Sequence, residues 1–420
     1  MITKAKILQS LLLVFTAASL VNCSPAVPCN IIGNGGGSSA ARLMRASSST
    51  NICGSGGGGG GGTCSSTLTP TQVMLSVDST GKILEYGLDA TTGVPTLMCN
   101  TATAAQGPLV ATPNNNFVYV LDSTAGTQIF GFQIAHAKSG ALATITGSPF
   151  QLSTAVVNSS IAVDPLGRFI FVTDQGNNAV HVLAISQSGA LAEVTGSPFL
   201  VSSPTFIAVT PSGAFAYVTD QVDGDIFIFS LASNGTLTET AASPFIVADP
   251  NDSPGFALVH PTGNFLLTAN LESTSSFTID PNNGGALTQV GGSPFLPANA
   301  GDGQVAPLAI VLDATGKFLY VVPRGISDDT LPAFQSENII GYTVDTTGGG
   351  LTPLANSPFL LNSTLDIIAN PLLQQMIVAT SNTTSVLFDV APIDANGNLT
   401  IPTSGLAVTA TIHPVVVNIQ

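Results

Sequence analysis

The sequence predicts an all-β fold: a seven-bladed β-propeller of four-stranded antiparallel blades, closed by its C-terminal strand. A recurring tripeptide and a strand order repeated around it carry this prediction. Successive prolines of the tripeptide are 49, 46, 50 and 64 residues apart, and periods of about 40–50 residues with strand-like content are typical of propeller blades. The tripeptide Ser-Pro-Phe recurs at residues 148–150, 197–199, 243–245, 293–295 and 357–359.

Each repeat has the same order of elements, and the third unit shows all of them. A short apolar strand A at 161–163 is followed by a turn with proline and glycine at 164–167. Strand B follows at 169–173, strand C at 179–185 with period-two alternation, and strand D at 191–194. The other units reuse this order, so each is expected to form one blade.

The strand count predicts that the units close a ring. Seven sets of strands B, C and D begin near Val73, Phe117, Phe169, Phe215, Phe265, Phe318 and Met376. No strand A precedes the first set, whereas the C-terminal segment 414–419 stands where a strand A is expected and has nothing after it. Pairing this segment with the first blade removes two open sheet edges. We therefore expect the propeller to span 70–420.

Residues 1–22 have the plan of a secretory signal peptide. Lys4 and Lys6 precede an apolar stretch at 7–21, and a charged region before an apolar core is typical of export signals. The segment that ends at Cys23 is similar to a bacterial lipobox, so we predict lipidation of Cys23 and a location at the bacterial cell envelope. The alternative is ordinary cleavage near 17–19, which leaves Cys23 free or in a disulfide.

Residues 23–69 are predicted to form a flexible stalk. The segment is rich in Gly, Ser and Ala, a composition that cannot bury enough apolar surface to order itself. Four further cysteines suit an oxidising compartment and allow three pairings, none of which the sequence selects. These cysteines are Cys29, Cys53, Cys64 and Cys99.

The charge balance excludes nucleic acid as a partner. The chain has 9 Lys and Arg against 24 Asp and Glu, a net charge of −15, and so has no basic stripe to neutralise phosphates. Beyond the N-terminus the apolar runs are far shorter than the ~20 residues of a spanning helix. We therefore expect attachment to the membrane through lipid alone. We also expect the protein to be a monomer. The cations after residue 70 are Lys82, Lys138, Arg168, Lys317 and Arg324.

The turn and strand B of the repeat carry a family resemblance. Residues 211–220 read Pro-Ser-Gly-Ala-Phe-Ala-Tyr-Val-Thr-Asp. Together with Gly-Ser-Pro-Phe, this pattern resembles the seven-bladed lactonase family, also called the cycloisomerase-2 or 6-phosphogluconolactonase-like family. The resemblance covers about residues 70–420 and implies hydrolysis of a sugar lactone, although propellers host many functions. No local motif places a catalytic residue of the family on a numbered position here.

Two features argue against a phosphorylated lactone. A phosphate dianion is bound by Arg or Lys, but Arg168 and Lys317 occupy a turn position that other repeats fill with uncharged residues such as Asn116. We expect both side chains to face solvent. The predicted export is the second feature, because a phosphorylated pentose-pathway lactone is a cytosolic metabolite. A neutral or uronic lactone fits the compartment better.

Strand B ends in aspartate in four consecutive blades, at Asp78, Asp122, Asp174 and Asp220. An arc of carboxylates could hold Ca²⁺, which takes six to eight oxygen ligands. The alternative is that each carboxylate accepts backbone N–H bonds within its own B–C turn. Repetition from blade to blade favours the second interpretation.

His413 and Arg324 are the candidate catalytic residues. His413 is predicted in the last D–A connection, on the face that carries the B–C loops, and Arg324 in an insertion at 323–337 between strands B and C. A general base and a cation for the developing oxyanion are sufficient for lactone hydrolysis. The alternative is that the two are unrelated surface residues.

Two functions remain open from the sequence. The first is an exported lactonase, which the family resemblance implies. The second is a non-catalytic propeller that binds a glycan, a peptide or a protein partner at the cell envelope. The scarcity of catalytic residue types favours binding, since the whole chain has four histidines.

Overall fold

A computed structural model describes the greater part of the predicted propeller. The described residues are 70–78, 80–124, 126–135, 141–157, 159–247, 253–270, 273–296, 306–324, 338–359, 361, 364–381, 386–401, 406–408 and 411–418. The predicted signal peptide, the lipidation of Cys23 and the stalk at 23–69 lie outside them and stay predictions. Over the described ranges the chain contains no helix long and apolar enough to cross a membrane.

The described strands form seven antiparallel sheets, which are the seven predicted blades. Blade I consists of β1 (Gln72–Asp78), β2 (Lys82–Leu88), β3 (Pro95–Ala102) and β31 (Thr411–Asn418). Blade II consists of β4 (Leu109–Ala111), β5 (Phe117–Leu121), β6 (Gln128–Ile134), β7 (Leu142–Thr144) and β8 (Phe150–Gln151). Blade III consists of β9 (Ile161–Val163), β10 (Phe169–Asp174), β11 (Ala179–Ile185), β12 (Leu191–Glu193) and β13 (Phe199–Leu200).

The remaining blades repeat this order of strands. Blade IV consists of β14 (Pro204–Val209), β15 (Phe215–Asp220), β16 (Asp225–Leu231), β17 (Leu237–Glu239) and β18 (Phe245–Ile246). Blade V consists of β19 (Pro254–Val259), β20 (Phe265–Asn270), β21 (Thr274–Asp280) and β22 (Ala286–Gln289). Blade VI consists of β23 (Ala306–Leu312), β24 (Phe318–Arg324), β25 (Ile340–Val344) and β26 (Leu351–Pro353). Blade VII consists of β27 (Thr364–Asn370), β28 (Gln375–Ser381), β29 (Val386–Pro392) and β30 (Leu406–Val408).

The C-terminal strand closes the ring, as predicted. β31 pairs with β1 and forms strand A of blade I. It begins at Thr411, three residues earlier than the sequence predicts. The strands A contact one another in the ring order β31, β4, β9, β14, β19, β23 and β27, and β27 contacts β31 again. The chain therefore closes a full circle around the axis.

The core consists of apolar layers between neighbouring blades. Each residue of β10 is buried, including Phe171 and Val172. Phe171 packs with Val218 of blade IV, whereas Val172 faces blade II and packs with Leu121. Because strand B is covered on both faces, its sequence is a nearly continuous apolar run, as expected for a fully buried strand.

The Ser-Pro-Phe motif attaches the start of strand C to its blade. In each of its five copies the serine Oγ accepts a hydrogen bond from a strand C N–H group, and the phenylalanine pairs with strand C two residues earlier. In blades II, III and IV this pairing forms a short fifth strand beyond the four predicted. The five N–H donors are Gly131 at 2.9 Å, Val182 at 3.0 Å, Ile228 at 3.0 Å, Ser276 at 3.1 Å and Gly341 at 3.0 Å.

Buried tyrosines of strand B join alternate blades to the next one. Tyr119 Oη donates to the carbonyl of Gly189 at 2.7 Å, and Tyr217 Oη donates to the carbonyl of Gly285 at 2.9 Å. Both glycines lie in C–D turns with positive φ, 82° and 76°, which L side chains rarely adopt. A Cβ on Gly189 would also lie 2.6 Å from Phe117. These contacts tie each turn to the neighbouring blade.

We expect Tyr119→Phe and Tyr217→Phe each to lower the free energy of unfolding by about 1–2 kcal/mol, because each leaves a carbonyl without its donor. The packing should survive, since the repeat has Phe171 at the equivalent position of blade III. The sites lie in different blade interfaces, so the losses should add in the double variant. Urea unfolding measures this; equal midpoints in the parent and the double variant would contradict it.

Candidate functional site

The wheel has two faces that differ in the turns they carry. Strands B end and strands A begin at one face, as the pairing of Asp78 with Thr411 and of Asp220 with Pro204 shows. We call this the B–C face, after the turns between strands B and C. The opposite A–B face carries the turns between strands A and B and between strands C and D. Arg324, His413 and the four aspartates belong to the B–C face.

The aspartates at the ends of strands B are buried and bonded within their own B–C turns. This is the geometry of capped turns, which was the alternative to a calcium site. The carboxylates accept hydrogen bonds as follows: Asp78 from Thr80 N at 2.8 Å, Asp122 from Thr124 N at 3.0 Å, Asp174 from Asn177 Nδ2 at 2.6 Å and Asp220 from Val222 N at 2.8 Å.

The structure does not gather these aspartates into one site. Over the described ranges no three His, Cys, Asp or Glu side chains come together as metal ligands. Asp220 differs from the others, because its Oδ2 is buried without a hydrogen-bond partner in the described part of the chain. Burial raises the pKa of Asp220. The predicted Ca²⁺ therefore gains no ligand set from the described residues.

His413 lies within the closing strand. The sequence predicts it in the connection before that strand, and this prediction is wrong. β31 starts at Thr411, and its pairing with β1 shifts between Leu75 and Val77. His413 is therefore part of a β-bulge, a feature that re-aims side chains and is common beside functional sites. Its backbone lies near the axial end of blade I on the B–C face. Its side chain lies outside the described residues.

Arg324 is the last residue of β24 and pairs with Ala306 at the B–C face. The strand thus extends two residues into the predicted insertion, and 325–337 lie outside the described residues. Blade VII stands between blade VI, which carries Arg324, and blade I, which carries His413. The backbone positions share one face, while the Arg324 side chain, like that of His413, is not described.

Polar side chains on the A–B face link neighbouring turns. Arg168 Nε bonds Asp164 Oδ2 at 2.6 Å, and Arg168 Nη2 donates to the carbonyl of Gly213 in the next blade at 3.0 Å. His260 Nε2 donates to the carbonyl of Gly316 in the next blade at 2.9 Å. These residues therefore have structural partners. Arg168 lies in the predicted turn, but its side chain is only 30% exposed and is bonded within the protein rather than facing solvent as expected.

A buried histidine on the B–C side forms a polar cluster that sequence analysis did not single out. His181 in β11 is fully buried, and its Nδ1 lies 2.6 Å from Glu193 Oε1. Its Nε2 lies 3.2 Å from the hydroxyl of Thr154 and 3.7 Å from Asp174 Oδ2. Thr154 belongs to the exposed connection between blades II and III. A hydroxyl, an imidazole and a carboxylate therefore follow one another, with the buried imidazole between an exposed threonine and a half-buried glutamate.

Comparison with protein families gives one match that covers most of the chain. The model of the lactonase, 7-bladed beta-propeller family matches residues 69–400. None of the curated proteins compared with the chain matches it.

Solved structures share the architecture at low identity. A candidate 6-phosphogluconolactonase from Bacteroides fragilis superposes with a TM-score of 0.68 at 18% identity, over 84% of this chain and 100% of that one. The periplasmic gluconolactonase of Pseudomonas aeruginosa superposes with a TM-score of 0.66 at 19% identity, over 83% of this chain and 100% of that one. At such identities the likeness shows the fold alone.

Proposed function

Because the chain belongs to the lactonase family of seven-bladed β-propellers, we propose that it is a lactonase that hydrolyses a sugar lactone on the B–C face. The observation that carries the proposal is the family match, which covers residues 69–400, from the start of blade I into blade VII. Lactone hydrolysis needs a base to activate water and a positive charge for the oxyanion that forms on the carbonyl. The B–C face carries the backbone positions of a histidine and an arginine that meet these needs.

We assign the base to His413 and the cation to Arg324. In this mechanism His413 takes a proton from water as the water oxygen attacks the lactone carbonyl. Arg324 stabilises the oxyanion of the tetrahedral intermediate. The intermediate collapses, the ring C–O bond breaks, and the proton passes from His413 to the ring oxygen. The product is the open hydroxy acid.

The substrate we favour is a neutral or uronic lactone. A phosphate group requires cations around it, and two of the described cations, Arg168 and Lys317, lie in A–B turns on the opposite face. Arg168 is also bonded to Asp164. Lys82, at the start of β2, and Arg324 are on the B–C face. Two cations on different blades favour a substrate without a phosphate.

We expect His413→Ala and Arg324→Ala each to lower lactone turnover by about 100-fold, because each removes a group that acts on the reacting atoms. A panel of aldonolactones and uronolactones, assayed with a pH indicator, measures this. Lys317→Ala is the matched control, since it removes an exposed cation from the A–B face and should keep full turnover. Full activity in both test variants would reject the assignment; no turnover of any lactone by the parent would favour the non-catalytic binding propeller.

We further propose that the chain acts outside the cytoplasm, anchored by lipid on Cys23. The charged and apolar order of 1–22 and the cysteine after it support this. We expect the full chain to incorporate a palmitate analogue and to fractionate with membranes, and Cys23→Ser to do neither. Labelling of the Cys23→Ser chain at the parent level would contradict it.

A further inference from the structure

His181 occupies a strand C position that is mostly apolar in the other repeats. It pairs with Val172 of strand B. The register places Leu84, Phe130, Phe227 and Ile340 at the same point of blades I, II, IV and VI, Ser275 in blade V and Asp389 in blade VII. Burying a polar ring in place of an apolar side chain costs free energy unless its nitrogens are bonded. The exchange for histidine therefore calls for a reason beyond packing.

Blade IV shows that the fold does not need this histidine. Glu239 stands where blade III has Glu193, and it accepts a hydrogen bond from Ser243 Oγ at 2.7 Å. Glu193 accepts the equivalent bond from Ser197 Oγ at 3.1 Å. The glutamate and serine pair thus forms beside a phenylalanine in blade IV and beside a histidine in blade III. What blade III adds is the imidazole and the hydroxyl in front of it.

The contacts of His181 suit proton transfer from Thr154 to Nε2, the ring nitrogen that Asp174 Oδ2 also faces at 3.7 Å. Burial opposes ionisation of Glu193, but hydrogen bonds from His181, Ser153 N and Ser197 Oγ prevail and lower the pKa of Glu193. An ionised Glu193 accepts the Nδ1–H of His181, which leaves Nε2 as an acceptor. Thr154 Oγ1, 3.2 Å away, then donates to Nε2. This is the arrangement of an activated nucleophile: hydroxyl, base, and a group that orients the base.

The connection that carries Thr154 is held at both ends. Leu152 N donates to the carbonyl of Thr127 at 2.8 Å, and Val156 N donates to the carbonyl of Gly126 at 2.7 Å. Leu152 and Val156 are buried, whereas Thr154 between them is exposed. The hydroxyl is therefore accessible from solvent while its backbone is fixed, as a preorganised site requires.

Donors for an oxyanion are available beside this hydroxyl. In the part of the chain that the structure describes, the backbone N–H groups of Thr154 and Ala155 donate to no protein acceptor. The neighbouring N–H of Ser153 is taken by Glu193 Oε2 at 3.0 Å. Two unused N–H groups at and after a nucleophile are suited to a tetrahedral oxyanion.

We propose that Thr154, His181 and Glu193 form an acyl-transfer site for small carboxylic esters at the junction of blades II and III. Thr154 Oγ1 attacks the ester carbonyl while its proton passes to His181 Nε2. The tetrahedral intermediate collapses, the leaving alkoxide takes that proton, and the acyl group stays on Thr154. Water, deprotonated by His181, then attacks the acyl-threonine; the carboxylic acid leaves and Thr154 regains its proton. This site is separate from the one assigned to His413.

The test is acetylation of the full chain by p-nitrophenyl acetate, followed by release of p-nitrophenol and by peptide mass mapping. We expect an acetyl group on Thr154 that turns over. His181→Phe copies blade IV, so it should keep the parental melting temperature and lower acetylation of Thr154 by about 100-fold. Thr154→Val should lose the adduct, and Thr154→Ser should retain it. Ser202→Ala, in the next connection between blades, is the matched control and should match the parent.

Three results would overturn the proposal: no acetyl group on Thr154 in the parent, an adduct on Thr154 that persists in His181→Phe, or p-nitrophenol release by Thr154→Val at the parental rate. Glu193→Gln adds a readout that a merely structural role would not move. It should shift the pH profile of acetylation, because the ring tautomer is no longer fixed. Adduct formation is measured apart from lactone turnover, so failure here and failure of the lactonase proposal are distinguishable.

Discussion

Removal of the closing strand, residues 411–420, is expected to destabilise the whole wheel rather than blade I alone. β31 pairs with β1 along its length and also contacts β27 and β4 of the adjacent blades. Val417 is fully buried in the apolar layer between blades I and II, and Val416 packs against the layer between blades VII and I. The truncation therefore opens the ring, exposes two apolar layers and leaves β1 as an unpaired edge.

The expected loss is comparable to the entire stability of a domain, about 5–15 kcal/mol. Calorimetry should show a broad transition at a much lower temperature, or aggregated protein. A chain shortened by residues 419 and 420 only is the matched control, since the strand ends at Asn418. A sharp transition at the parental temperature in the long truncation would show that the C-terminus does not hold the ring together.

The architecture could be predicted because the same pattern of strands and turns recurs along the sequence. Each copy of Ser-Pro-Phe marks the same point of a blade, and the missing strand A of the first unit requires a partner from the end of the chain. What the repeat did not predict is the role of its serine. Ser148 Oγ accepts the N–H of Gly131 at 2.9 Å, a bond across 17 residues that depends on how the chain turns after strand D.

The site was harder to predict, because its residues meet only through the fold. Thr154 is 27 residues from His181, and Glu193 is 12 residues from it. Period-two alternation predicts the face of strand C on which His181 lies. It does not predict that the connection between blades II and III covers His181. The usable signal was the departure from the repeat, since aligned units have Phe130 or Phe227 where His181 stands. His413 was predicted outside the closing strand because the apolar run that marks this strand begins at Pro414. The sequence carries no signal for the bulge that extends the strand back to Thr411.

The free energy of unfolding is expected to fall by about 3 kcal/mol as the pH rises from 4.5 to above 7, through Glu85. Glu85 in β2 is fully buried, and Thr101 Oγ1 donates to its Oε1 at 2.6 Å. Its Oε2 lies 2.7 Å from Cys99 Sγ, and Cys99 is disulfide-bonded to a partner outside the described residues. A disulfide sulfur has no hydrogen, so this contact favours a proton on Glu85.

Burial raises the pKa of Glu85 from 4.5 to about 7, against the hydrogen bond from Thr101 that lowers it. The unfolded chain therefore releases this proton near pH 4.5, and the folded protein keeps it until about pH 7. Between these values the folded state binds more protons, so its advantage is complete below pH 4.5 and is lost as the pH rises through 7. Buried Asp389 in β29 of blade VII has its pKa raised by burial as well.

Glu85→Gln tests the assignment, because the amide keeps an acceptor for Thr101 and cannot ionise. Urea unfolding from pH 4.5 to pH 8 should give equal stability at the acid end and a variant more stable by about 3 kcal/mol at pH 8. Asp89→Asn is the matched control: Asp89 is exposed, and N–H and hydroxyl donors of Thr92 lower its pKa, so its titration lies below this window. Parallel curves for the parent and Glu85→Gln across pH 5–8 would show that Glu85 is ionised in the folded protein throughout.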